Sequence, residues 1–317
     1  MTKIVIHLMV IILVSFSVAA QTYAAGSVTL GTGTPGGGFI LYGEEFARTV
    51  NAVDQSLSIR SVNTNGSSEN VRLLESGKLD IALVQGEAVA EAFSDKSRPP
   101  AKLKIISAMY ATPGMFVVRG DSPYSRISDL KGKRVAFGAS GSGLVILARY
   151  VLDGIGLDQL KDFQAVFLER AGDGPAMLAD GRVDALWGGG NGWPGFMTAA
   201  KVQGGARFIA PDAGEIALIL NKYPFLKQMA VPAGSYPRQN SDITSVGSWS
   251  FILSRATLPD DVAYRIARAM HLGEARLCLA IPQACGTAMS HLSAVALRPK
   301  LIHPGVLKYL RESFGVQ

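Results

Sequence analysis

The stretch from Val28 to Asn51, VTLGTGTPGGGFILYGEEFARTVN, decides how the rest of the chain is read. A short β-prone run, Val28-Thr29-Leu30, enters a loop with Gly at 31, 33, 36, 37 and 38. Phe39, Tyr42, Phe46 and Val50 then recur at the spacing of a buried helix face. Glycines ahead of a helix start let backbone approach closely, and they aim unpaired N–H groups at whatever sits there. That geometry suits an anion.

Before this stretch lies a segment of another kind. Lys3 supplies a small positive charge, Ile4 to Phe16 is almost wholly apolar, and Ser17 to Ala25 is rich in small residues. Residues 1–24 are expected to be a secretory signal peptide, cleaved after Ala20 or Ala24. The apolar core is shorter than the roughly 20 residues of a membrane span. What remains is an exported, periplasmic chain of roughly 295 residues, long enough for two domains. Net charge is +6, or +5 without Lys3. The basic residues are scattered, and the one tight cluster, Leu130 to Arg134, has no interleaved aromatics, so no nucleic-acid partner is expected.

After Val28 the chain alternates short apolar strands with helical runs, the cadence of an α/β fold with a largely parallel sheet. Strands are expected at 57–62, 79–84, 103–109, 115–118, 135–137 and 246–253, and Ser67 is expected to cap a helix that Gly77 ends. LADGRVDALWGG at 178–189 echoes LESGKLDIALVQG at 74–86, and a Gly/Ser loop at 138–143 echoes the first glycine loop. The echo predicts two similarly built lobes, residues 26–118 with 247–317 and residues 119–246. The chain would cross between them twice, with a hinge and a ligand cleft at the crossing. Cys278 and Cys285 would be about 10 Å apart on one continuous helix, too far to bridge. Pro282 between them offers a helix break, so a disulfide stays open.

Gly31 to Gly36 satisfies GxGxxG, yet the second strand ends at Arg60-Ser61-Val62-Asn63 without an acid for a ribose. No GxxxxGK[ST] and no GxSxG occurs, and His271, His291 and His303 lie far from the glycine loops. No cofactor, no metal and no catalysis are expected.

The blocks GTGTPGGGFILYGEEFARTVN, NTNGSSENVRLLESGKLDIALVQGE, SDLKGKRVAFGASGSG with ARYVLDGIGL, MLADGRVDALWGGGNGWP, VPAGSYPRQNSDITSVG and IHPGVLKYLRES occur in this order. In them the chain resembles the TAXI family, the extracytoplasmic solute receptors of tripartite ATP-independent periplasmic (TRAP) transporters. The resemblance implies a monomeric two-lobed type II periplasmic-binding-protein-like fold that closes on a small organic anion, a carboxylate or amino acid. It also implies delivery to TRAP membrane subunits. Thr34, Gly36, Gly37, Phe39 and Tyr42 would line one side of the cleft, with Ser67, Ser68, Asn70 and Gln85 completing that lobe. Ser140, Ser142, Gly143, Trp187, Gly189 and Asn191 would stand opposite.

The chain departs from the usual family loops: Pro35, Phe39 and Ile40 replace hydroxyl donors in the first, and Leu144 replaces a Thr in the second. A less polar ligand than glutamate follows, a monocarboxylate or aromatic acid, although Phe39 also fits the buried helix stripe. A ligand-sensing protein docked on a signalling receptor and a Rossmann-type oxidoreductase are the alternative readings.

Overall fold

The computed structural model describes residues 27–94, 102–289, 292 and 299–316; the expected signal peptide and His291 lie outside them. Ten strands form one sheet, in the order β2-β1-β3-β10-β4-β7-β5-β6, with β8 (Ala206–Ile209) on β4 and β9 (Lys227–Val231) on β10. Two parallel trios make up its ends. The first is β1 (Ser27–Gly31), β2 (Ser58–Val62) and β3 (Ile81–Gln85); the second is β5 (Arg134–Ala139), β6 (Gln164–Leu168) and β7 (Ala185–Gly189). Between them run β4 (Leu103–Arg119) and β10 (Ile243–Arg255), antiparallel to each other. The mixed α/β class is as the cadence indicates.

The echo in the sequence has a physical counterpart. Gly77 (φ +71°) and Gly181 (φ +74°) each end a helix in the left-handed conformation that favours glycine. Three residues later, Asp80 accepts the N–H of Thr29 in β1 at 2.8 Å, and Asp184 accepts the N–H of Arg134 in β5 at 2.9 Å. Each aspartate thus clamps the strand entering its glycine loop to the strand that follows the helix.

Packing divides along the two long strands. Ile105, Ile106 and Met109 of β4 and Phe251, Ile252 and Leu253 of β10 share a core with Leu30, Phe46, Ile81 and Ile266. From Met115 onward β4 packs elsewhere. Phe116 and Val118 join Phe137, Leu147, Trp187 and Ile219 on one sheet face; Met115 and Val117 join Leu186, Phe196 and Tyr236 on the other. This period-2 alternation buries both faces of the second trio under helices. Residues 115–118 therefore pack with the second trio.

The two strands expected at 103–109 and 115–118 are one, because Pro113 does not interrupt β4. It stands opposite Gly247, where a Cβ would come 2.1 Å from the Thr112 carbonyl oxygen, so the strands cross in close backbone contact. Ser67 is not a cap. Gly66 (φ +106°) caps α2 (Ser67–Glu75), and the Ser67 hydroxyl instead accepts the Gln85 N–H at 3.1 Å. α8 (Asp260–Ala280) ends before Pro282, and Pro282–Gly286 turns back as a 3₁₀ turn. That break brings Cys278 and Cys285 to 4.4 Å between Cα atoms, and they form a disulfide. No helix among the described residues is long and apolar enough to cross a membrane.

Candidate functional site

Three helices begin on one cavity. α1 (Gly38–Val53) follows the first glycine loop and starts with Gly37 as N-cap; α2 starts with Gly66; α4 (Gly143–Gly154) starts with Ser142, whose hydroxyl accepts the Leu144 N–H at 3.2 Å. Gly37, Gly38, Phe39, Gly66, Ser67, Ser142 and Leu144 all line the cavity between these ends. At α1 and α2 no side chain caps the helix, so first-turn N–H groups other than that of Ser68 are left without an intrahelical or side-chain cap partner. Its volume is about 60 Å³, room for about four waters. No charged side chain lines it among the described residues.

Backbone closes the cavity on both sides. Ala171 donates its N–H to the Thr34 hydroxyl at 3.1 Å, and Gly172 donates to the Pro35 carbonyl at 3.1 Å. On the other flank Ser68 donates to the Gly141 carbonyl at 3.1 Å. Glycine is required at this seam: a Cβ on Gly141 would lie 2.4 Å from the Asn65 carbonyl oxygen, and one on Gly143 would lie 2.4 Å from the Gln85 Cβ. Gly36, with φ +82°, also belongs to this seam and abuts Gly172. The GxGxxG string thus serves a close approach between two loops.

Of the expected residues, Thr34, Gly37, Phe39, Ser67, Gln85, Ser142 and Gly189 line the cavity. Gly36, Ser68 and Gly143 stand at the seam instead. Ser140 is exposed and donates its N–H to Leu168. Asn191 faces an adjoining outer chamber.

Three expected residues are core residues. Tyr42 is fully buried one helical turn beyond Phe39, edge-on to Tyr110 at 5.5 Å, with its hydroxyl donating to Thr287 at 3.4 Å. Asn70 donates from Nδ2 to the Thr32 and Leu83 carbonyls, both at 2.8 Å, tying the glycine loop to β3. Trp187 shares its face of β7 with Ala185, beneath α4, and its indole N–H donates to the Leu144 carbonyl at 2.8 Å. Its ring therefore lies in the core beneath α4 and not on the cavity wall.

Tyr110, Thr112, Trp193, Ala171 and Gln283 also line the cavity, though sequence reasoning passed over them. Trp193 lay within the NGWP segment and could have been singled out. The others come from a strand crossing and two turns whose facing no local pattern reveals.

The Gln85 side chain is buried, and its Nε2 makes no well-formed hydrogen bond, with the Glu87 carboxyl as its nearby acceptor. A donor so placed on the cavity wall is costly unless a ligand accepts from it. Two residues on, Glu87 is wholly buried at the start of α3 (Gly86–Ser94), and neither carboxylate oxygen has a well-formed hydrogen bond. Burial pushes its carboxyl up to about 7, offset in part by the nearby Ser248 hydroxyl. At the C-terminal side His303 caps α9 (Pro304–Phe314), accepting the Gly305 N–H at 3.2 Å, and burial lowers its pKa. This histidine is structural and remote from the cavity.

Residues 30–313 match the NMT1-like family. The solved periplasmic binding protein BugD superposes with a TM-score of 0.57 at 12% identity, over 92% of this chain and 96% of that one. A periplasmic transporter superposes with 0.54 at 16% identity, over 84% and 89%. The alkanesulfonate-binding protein SsuA from Xanthomonas axonopodis pv. citri, bound to MOPS, gives 0.50 at 19% identity, over 90% and 83%. Likeness at such identities concerns the fold, which is that of periplasmic binding proteins. The match across nearly the whole described chain makes this protein a member of the NMT1-like family.

Proposed function

We propose that this protein is an extracytoplasmic solute receptor that closes on a small organic anion. The observation that carries this reading is the meeting of three helix starts on one cavity that no charged side chain lines among the described residues. In this reading residues 27–110 with 251–316 form one lobe and residues 115–246 the other, and β4 and β10 form the hinge at 111–114 and 247–250. The seam between Thr34-Pro35-Gly36 and Ala171-Gly172 is the latch of the closed state. Thr34, Ser67, Gln85, Ser142 and the free helix amides hold the anion, and Phe39, Tyr110 and Trp193 cover its apolar part.

Magnitudes allow this without an Arg or Lys. Micromolar affinity needs about −8 kcal/mol. Hydrogen bonds to a charged group contribute roughly 1.5–3 kcal/mol each, and each helix start adds about 0.3–1 kcal/mol. Three or four such bonds suffice after hinge ordering is deducted.

The resemblance to TAXI receptors favours carboxylates or amino acids delivered to TRAP membrane subunits. The SsuA structure holds MOPS, a sulfonate, which shares the anionic head. The test is a thermal-shift screen of carboxylates, sulfonates and amino acids on protein unfolded and refolded to strip bound ligand. One anion class should raise Tm saturably, and no shift across all three overturns the reading. The TRAP assignment is tested by uptake into ATP-depleted vesicles under an imposed ion gradient, where loss of uptake overturns it.

A further inference from the structure

Beside the anion cavity lies a second, much larger space of about 680 Å³. Its walls come from α1, from the start of α6 (Pro194–Lys201) and from the turn after α8. Gln283 is common to both spaces. A Cβ on Gly38, in the inner wall, would lie 3.8 Å from its Oε1, and one on Gly192, in the outer wall, 3.9 Å from its Nε2. The amide is therefore a partition between the two, carried on the 3₁₀ turn that the Cys278–Cys285 disulfide closes.

The two spaces differ in chemistry. The inner one offers helix amides and hydroxyls in a volume of a few heavy atoms. The outer one presents Leu41, Met197, Ile281 and Pro282, with Leu41 52% exposed there. Three charged residues also reach this space: Glu45 and Arg48 pair with each other, and Glu44 has no ion-pair partner among the described residues.

We propose that the ligand is an amphiphilic monoanion, with its acidic head in the inner cavity and an apolar tail passing Gln283 into the outer chamber. This rests on the reading of the inner cavity as an anion site and adds the class of molecule it takes. The tail lies on Leu41, Met197 and Ile281, and Gln283 swings aside to admit it. Glu44 disfavours a second carboxylate at the far end, so a dicarboxylate of equal length is rejected.

Calorimetric titration of the stripped protein with acetate, butyrate, hexanoate, octanoate and suberate tests this. Affinity is expected to rise about fourfold per added methylene between butyrate and octanoate, as apolar burial requires. Suberate is expected to bind at least tenfold more weakly than octanoate. Leu41→Gln should cut the gain to less than twofold per methylene. A flat or falling series in which butyrate still binds overturns the tail chamber and leaves the anion site standing. Suberate binding as tightly as octanoate overturns the monoanion. If these acids, methanesulfonate and amino acids all fail to bind, the anion reading fails and takes the tail chamber with it.

Discussion

Gly36 and Gly172 meet so closely that a Cβ on Gly36 would lie 2.4 Å from the Gly172 Cα. Gly36 also holds φ +82°, which costs an L side chain roughly 1–2 kcal/mol. The steric penalty falls on the seam, since Pro35 and Gly36 are otherwise exposed. Gly36→Val should therefore weaken ligand binding at least 100-fold while Tm of the unliganded protein falls only a few degrees. Calorimetry and melting on the same sample check this, and unchanged affinity would show that closure does not use this contact.

Gln85, on the cavity wall, carries a buried Nε2 without a well-formed hydrogen bond. Gln85→Met keeps the volume and removes that donor. Anion affinity should fall about 10- to 100-fold, the loss of one hydrogen bond to a charged group, whereas the unliganded protein should be as stable or slightly more so. Urea unfolding beside calorimetry separates the two effects.

Trp187 fills the core between β7 and α4 and donates to the Leu144 carbonyl. Trp187→Ala should cost about 3–5 kcal/mol of stability. Trp187→Phe should cost less and leave affinity within about threefold. A ligand contact would instead show as a selective loss of binding in the Phe variant.

Glu87 titrates at about 7 in the fold against an ordinary value of 4.5. Between these values the folded state binds more protons than the unfolded one, so stability falls as pH rises, by about 3 kcal/mol in all. Its charged neighbours are few: Glu91 lies one turn on, itself paired with Arg149 and bonded by the Tyr150 hydroxyl at 3.0 Å. Glu87→Gln should flatten stability between pH 5 and pH 8, as urea midpoints at both values would show. A slope that persists in the variant would place the titrating group elsewhere.

The Cys278–Cys285 disulfide closes a short loop at the end of α8. Chain entropy over a loop of this size gives roughly 2.5 kcal/mol. Reduction, or Cys278→Ser with Cys285→Ser, should lower Tm by several degrees, which scanning calorimetry with and without reductant measures.

The parts legible in the sequence are those that local chemistry dictates. Strand, glycine loop and helix start follow one another at 28–51 and again at 135–154, and the Gly…Asp echo at 77–80 and 181–184 marks two equivalent clamps on two equivalent strands. Cavity-lining Thr34, Gly37, Ser67, Gln85 and Ser142 sit at or beside these helix starts, so a reader of caps and turns can find them. Long-range geometry decided the rest. Ser67 lost its cap role because Gly66 has to take φ +106° beneath Gly141. Trp187 went to the core because α4 packs over its face of β7 and offers the Leu144 carbonyl to its indole N–H. Tyr110, Thr112 and Gln283 became walls only through the crossing of β4 and β10 and the disulfide-held turn. Local backbone preference places a helix start, but which helix starts face one another is set by strand order and packing, and these are properties of the whole chain.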